Sequence, residues 1–181
     1  IFLLSISQTN AQFWKALNGV YGGAQYEIIN HTATGALVTI NNGGIFRSTD
    51  SGATWTRSSS GIVSTDIAVR GLTQDGSGKL YCNSLSRVYS STDGGVTWTQ
   101  TTTVTNSFGS VIKVSPVNGN IFISHSSGSQ ILRSSDGGQT FNATTFSASF
   151  ISDMEVNSLG HIIVAVQGQS ALYITTNLSL I

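Results

Sequence analysis

Apolar residues along this chain come in short runs bounded by turn residues, and the same succession of runs is written four times. In each unit a first β-rich run, at 26–30, 66–70, 111–115 and 153–157, leads to a turn that contains Gly35, Gly78, Gly119 or Gly160. A second run follows: Leu37-Val38-Thr39-Ile40, Leu80-Tyr81-Cys82, Ile121-Phe122-Ile123 and Ile162-Ile163-Val164. The third carries a pair of large apolar residues, Ile45-Phe46, Val88-Tyr89, Ile131-Leu132 or Leu172-Tyr173. Runs this short, rich in β-branched and aromatic residues and closed by Gly, Asn, Asp and Ser, predict strands rather than helices. No stretch has the 3.6-residue period of an amphipathic helix. The expectation is an all-β chain with four strands to a unit.

A second pattern lies on top of the first. Ser48-Thr49-Asp50-Ser51-Gly52-Ala53-Thr54-Trp55 returns as Ser91-Thr92-Asp93-Gly94-Gly95-Val96-Thr97-Trp98, then as Ser134-Ser135-Asp136-Gly137-Gly138-Gln139-Thr140-Phe141. The aspartates recur every 43 residues, and Thr175-Thr176-Asn177 is a weaker echo. Each residue type has a mechanical reason to be there. The aspartate accepts hydrogen bonds from backbone amides one or two residues ahead, and the glycine two places on admits positive φ. The aromatic ring starts the returning strand and covers the turn. Repeats of about 40–45 residues, each holding several short strands, are the mark of propeller blades.

These three turns resemble the Asp-box of the BNR/Asp-box propellers, the superfamily that includes the sialidases, and the likeness runs over nearly the whole chain. The nearer likeness is to secreted bacterial YVTN/BNR-like propellers, photosystem II assembly factor-like propellers and xyloglucanase propellers. The resemblance implies a structural box on the hairpin between third and fourth strands, away from the binding face. Its structural residues would be Ser48, Asp50, Gly52 and Trp55; Ser91, Asp93, Gly95 and Trp98; and Ser134, Asp136, Gly138 and Phe141. A calcium loop is the rival reading, but each box offers one carboxylate where such a loop needs several oxygen ligands within a dozen residues.

Units are expected at about 18–58, 59–101, 102–144 and 145–181, within a propeller spanning 12–181. Phe13-Trp14-Lys15-Ala16-Leu17 fits a box-less outer strand, and the fourth unit stops at Leu180-Ile181 without one. A propeller must close its ring, so the expectation is a portion of a six- to eight-bladed ring; a closed four-bladed ring completed by 12–17 is the alternative. Ile1-Phe2-Leu3-Leu4 and the small residues up to Ala11 read as a signal-peptide remnant over 1–11, which points to a secreted or extracytoplasmic protein; an ordinary strand competes with it. The run is too short to span a membrane.

Composition narrows the function. Only 9% of residues are charged and the net charge is zero, against about 25% charged in ordinary domains. That leaves no electrostatic footprint for nucleic acid. Cys82, alone, reads as a buried inert thiol. His31, His125 and His161 do not converge in sequence, so no metal site and no cofactor is expected. Asn30-His31-Thr32 and Asn142-Ala143-Thr144 fit the glycosylation sequon.

If the strands meander, the loops between second and third strands share one face with the connections between units. That face collects Asn41, Asn42, Asn83, Ser84, His125, Ser126, Gln167 and Gln169 as candidate ligand contacts, with Tyr21, Tyr26, Phe108 and Phe150 near the unit starts. Such a surface suits a glycan or a protein partner. Asp66 and Asp153, in matching places at the entry to the first strands, 11 and 12 residues after Trp55 and Phe141, and Glu27 nearby in the first unit are the weak catalytic candidates for a glycosidase carboxylate pair; the simpler reading has them bonding backbone amides. A sialidase-like site would add an arginine triad, but Arg47 and Arg133 repeat three before a box aspartate, and Arg87 and Arg70 complete no matching set. The expectation is a non-catalytic binding or scaffold propeller, with a glycoside hydrolase as the alternative.

Overall fold

The computed structural model describes residues 19–20, 23–102 and 107–175. The signal-peptide reading, the 12–17 strand, Tyr21 and the Asn177 echo lie outside them. The first sheet is β1 (Gln25–Asn30), β2 (Leu37–Asn41), β3 (Gly44–Ser48) and β4 (Thr56–Arg57). The second is β5 (Gly71–Gln74), β6 (Leu80–Asn83), β7 (Val88–Ser91) and β8 (Thr99–Gln100). The third is β9 (Phe108–Val114), β10 (Ile121–His125), β11 (Gln130–Ser134) and β12 (Asn142–Ser147), and the fourth β13 (Ile151–Val156), β14 (Ile162–Val166) and β15 (Leu172–Ile174). Within each sheet the strands pair in chain order, every pair antiparallel. These are propeller blades, three of four strands and one of three among the described residues.

Two details depart from the sequence reading. The run 66–70 is not the first strand of its unit: Ser64–Asp66 forms a single 3-10 turn and β5 begins at Gly71. Residues 66–70 have strand-like composition, but the Asp66 carboxylate is held by side chains of the second sheet, and Val69 donates to the Ile67 carbonyl in a tight turn. The outer strand of the third unit also continues to Ser147, past the expected boundary at 144.

The middle strands of the second and third sheets are buried on both faces because each of these blades lies between two others. In β6, Leu80 and Cys82 join a cluster with Val38 and Ile40 of the first sheet, while Tyr81 points the other way, to a cluster with Phe108, Ile112 and Ile121 of the third. In β10 the alternation repeats: Ile121 and Ile123 face the second sheet, and Phe122 joins Met154, Ile162 and Val164 of the fourth. Period two thus divides one strand between two cores. Burial pushes the Cys82 thiol well above its ordinary range, which keeps it protonated.

The repeated turn sits between third and fourth strands in all three copies. Ser48 Oγ donates to Asp50 Oδ1 (2.7 Å) and accepts from the Gly52 amide (2.9 Å), while Thr54 gives its amide to Oδ1 (2.9 Å) and its hydroxyl to Oδ2 (2.6 Å). Asp93 and Asp136 repeat this with Ser91 and Thr97, and with Ser134 and Thr140. The carboxylate therefore reaches amides three and four residues ahead, not one or two. Left-handed residues fold the chain back far enough for this: Gly94 and Gly95 in the second copy (φ 70° and 84°), and Ser51 with Gly52 in the first (φ 59° and 87°).

Bonds from Thr54 and Ser48 hold Asp50 down at about 2. Partial desolvation works against Asp93, but bonds from Thr97, Ser91 and Val96 outweigh it and leave it at about 2. Asp136, bonded by Thr140 and Ser134, also lies at about 2. A carboxylate depressed on folding stabilises the native state above its unfolded pKa. That contribution is expected to be complete above about pH 4 and to fade as pH falls towards about 2. Asp93→Ala should lower stability by about 1 kcal/mol at pH 7, a value discounted because the turn is solvated. It should also flatten the loss of stability between those pH values. Urea midpoints of both proteins measured across this range check it; an unchanged acid slope would refute the account.

Candidate functional site

Neighbouring blades meet through their first strands, β1 against β5, β5 against β9 and β9 against β13. Three of these strands carry a register shift, between Gln25 and Glu27, opposite Ile123–His125 in β9, and between Ile151 and Asp153. Bulges re-aim side chains. Here Tyr26, Ser110 and Ser152 lie within the three irregular stretches, and all three line a cleft of about 340 Å3 with Glu27, Arg70, Lys113 and Asp153. All four repeats contribute to it.

The cleft carries both signs of charge. Lys113 Nζ lies 3.7 Å from Glu27 Oε1 and 3.4 Å from Glu155 Oε2, and the Leu72 amide donates to Glu27 Oε2 (3.3 Å). Burial pushes the Glu27 carboxyl above the usual range; Lys113 and the Leu72 amide pull it back, and the Asp153 charge adds to the rise. Asp153 Oδ1 accepts from the Met154 amide (2.8 Å). The Arg70 guanidinium has no hydrogen-bond or ion-pair partner among the described residues, and its Nε is buried. Tyr26 is 46% exposed, and its hydroxyl donates to Asn42 Oδ1 (2.8 Å). A planar guanidinium, carboxylates, serine hydroxyls and an aromatic ring around one space can bond a ligand carrying many hydroxyls.

Of the three carboxylate candidates, Glu27 and Asp153 meet in this cleft and Asp66 does not. The turns between first and second strands begin at His31, Ser115 and Asn157, and counting back four from each aligns Glu27 with Asp153 and with Val111. The same count from Asp75 reaches Gly71 rather than Asp66, so the matching of Asp66 with Asp153 is corrected. Asp66 is buried instead beneath the second sheet, 2.8 Å from Arg87 Nη1, 2.7 Å from the Tyr89 hydroxyl and 3.2 Å from Ser86 Oγ. Burial opposes its charge, but these bonds outweigh that and hold the carboxyl below the ordinary range. It is bound by side chains rather than by backbone amides.

The expected ligand face divides in two. Asn41, Asn83 and Ser84 are buried and cannot touch a ligand. Asn41 Oδ1 accepts from the Gly43 amide (2.7 Å), Asn83 Nδ2 donates to the carbonyls of Ser84 and Gly109 (2.9 Å each), and Ser84 Oγ accepts from the Ser86 and Arg87 amides. They close loops and join blades, and their polarity serves the backbone. Asn42, Ser126, Gln167 and Gln169 are exposed and His125 half-exposed. The His125 ring bonds Ser127 Oγ (2.8 Å). Phe108 is also no surface group: it is buried edge-on to Phe141, with ring centres 5.0 Å apart, whereas Phe150 is 46% exposed.

The remaining arginines form no triad. Arg47 Nε donates to the Gly94 carbonyl of the next repeated turn (2.8 Å), and Arg133 donates to the buried Asn120 amide oxygen (3.1 and 3.0 Å). His31 is buried between Thr34 Oγ1 (2.7 Å) and the Gly78 carbonyl (2.8 Å), joining first and second blades, and His161 lies beside Asn157. Among the described residues no three His, Cys, Asp or Glu side chains converge as metal ligands, and no helix is long and apolar enough to cross a membrane. Lys113, Ser110 and Ser152 are cleft residues that sequence reasoning missed, and of these only Lys113 left a signal. Its signal was the occurrence of a charged residue within an otherwise apolar first strand, Val111-Ile112-Lys113-Val114.

The chain matches no protein-family description and no curated protein. Solved structures do resemble it. The GH74 xyloglucanase from Xanthomonas campestris is 16% identical with a TM-score of 0.68, over 88% of this chain and 30% of that one. YCF48 bound to D1 peptide is 19% identical with a TM-score of 0.61, over 92% of this chain and 55% of that one. The extracellular domain of a one component system from B. thetaiotaomicron is 12% identical with a TM-score of 0.63, over 83% of this chain and 21% of that one. This chain thus spans less than a third of the enzyme and of the extracellular domain, and about half of YCF48. At these identities the likeness defines the fold: the chain is of the β-propeller class.

Proposed function

We propose that this chain is an Asp-box propeller of extracytoplasmic location that binds a glycan, without cleaving it, in the cleft where its four first strands converge. The observation that carries the reading is the grouping of Arg70, Asp153, Ser110, Ser152 and a half-exposed Tyr26 around one space of about 340 Å3. Sugar hydroxyls are both donors and acceptors, and this lining supplies both, with a ring for the apolar face of a pyranose. The low charge of the chain fits a neutral ligand. The likeness to a xyloglucanase and to an extracellular domain supports the reading.

Calorimetric titration of the protein with xyloglucan oligosaccharides is the test. Binding is expected, weakened at least about tenfold by Arg70→Gln or Asp153→Asn while the circular dichroism spectrum is unchanged, and no shortened product should form. Binding that ignores both substitutions would refute the assignment. One observation favours a hydrolase as the second reading: Glu27 and Asp153 line the same cleft, and burial raises the Glu27 carboxyl, as suits a general acid. Product release abolished by Glu27→Gln in a folded protein would establish it instead.

A further inference from the structure

A second cleft, of about 460 Å3, opens where the chain passes from the first blade to the second, and it is lined by Arg57, Ser59, Ser60, Ile62, Ser64 and Ile67. It lies against the β2–β3 turn, since a Cβ at Gly44 would meet Ser59 Oγ, Ile67 Cδ1 and Arg57 Nε. Among the described residues the Arg57 guanidinium has no hydrogen-bond or ion-pair partner, in contrast to the side chains of Arg47, Arg87, Lys113 and Arg133. The nearby carboxylate, Asp66, is already engaged by Arg87, Tyr89 and Ser86. Among the described residues the Ser60 and Ser64 hydroxyls have no protein partner either, while Ser59 Oγ accepts from the Ile45 amide (3.0 Å).

We infer that this cleft binds the sulfate monoester group of a sulfated sugar. The guanidinium fork takes two oxygens of a planar or tetrahedral anion. Hydroxyls beside it add donors for a third oxygen, which a carboxylate lacks and a tetrahedral group has. One cation with no second beside it matches the single charge of a sulfate ester better than the near double charge of a phosphate monoester at neutral pH. Ile62 and Ile67 give the sugar ring an apolar wall. An extended peptide would need an open strand edge, but 58–60 is already joined to the second blade. Ser58 Oγ donates to the Gly95 carbonyl (2.5 Å), and the Trp98 amide to the Ser60 carbonyl (2.8 Å). The inference does not depend on the other cleft.

Nuclear magnetic resonance titration of the intact chain with galactose 6-sulfate, galactose 6-phosphate and galactose tests it. The sulfate ester is expected to bind at millimolar concentration, to shift the amides of 57–67, and to bind at least about tenfold more tightly than galactose. Arg57→Gln should abolish the shifts; Arg57→Lys should retain part of the affinity, because charge survives without the fork. Shifts that persist in Arg57→Gln, absence of binding, or equal binding of galactose would each overturn the proposal. Phosphate binding as tight as sulfate binding would overturn the charge matching on which it rests. Arg70→Gln, in the other cleft, should leave these shifts unchanged.

Discussion

Replacing Gly61 with alanine is expected to lower stability by about 4 kcal/mol, combining steric overpacking with an unfavourable left-handed backbone. Gly61 has φ 91°, and a Cβ there would fall on the Trp98 carbonyl oxygen. Neither side can yield cheaply. The Trp98 amide is bonded to the Ser60 carbonyl (2.8 Å), and Ser60 bridges Thr97 in parallel across the junction of first and second blades. The Trp98 indole also donates to the Ser58 carbonyl (2.9 Å). Gly76→Ala is the control, because nothing lies within 4 Å of its added methyl. Chemical denaturation should separate the two variants widely; equal midpoints would show that the junction is plastic.

Asp66→Ala is expected to cost about 2 kcal/mol, since it removes the buried acceptor of the Tyr89 hydroxyl, while the half-exposed Arg87 is partly compensated by solvent. Arg87, Tyr89 and Ser86 all lose their shared acceptor, and the Tyr89 hydroxyl is enclosed where water does not replace it. Asp66→Asn should cost less, because an amide oxygen still accepts from Tyr89. The contribution has a pH signature. A carboxyl held below its ordinary range stabilises the fold above its unfolded pKa, and this is lost on acidification. Thermal unfolding at pH 7 and at pH 3 should therefore differ less for Asp66→Ala than for the parent. If Asp66→Ala unfolds like the parent at pH 7, the carboxylate is not structural.

The repeats announced the blades because a spacing of 43 residues and an alternation of apolar runs are properties of sequence alone. The bulges were not legible. Which first-strand residue faces the shared cleft depends on the register shift at Tyr26 and Ser152, and no residue type marks that shift. The polar loop residues misled for a related reason. Asn41 and Asn83 have the composition of a ligand surface, yet an asparagine amide serves a buried backbone equally well. Only the fold decides between the two uses. Asp66 and Asp153 looked equivalent when counted forward from the aromatic residue of the preceding turn, but the 3-10 turn at Ser64–Asp66 lengthens one connection and breaks the count.

The contacts made by the repeated turns have an arrow. The second turn is gripped from the preceding blade, by Arg47 at the Gly94 carbonyl and Ser58 at the Gly95 carbonyl, and the third is held in the same sense by Thr101 at the Gly138 carbonyl (3.2 Å). The first and second blades are therefore each latched to the turn of the successor. In an array whose units are stabilised mainly by neighbours, such a latch transmits damage against the direction of the chain. Melting of the second or third turn first loosens the blade synthesised before it, and during synthesis the first and second blades wait for about one further repeat before their outer edges are secured.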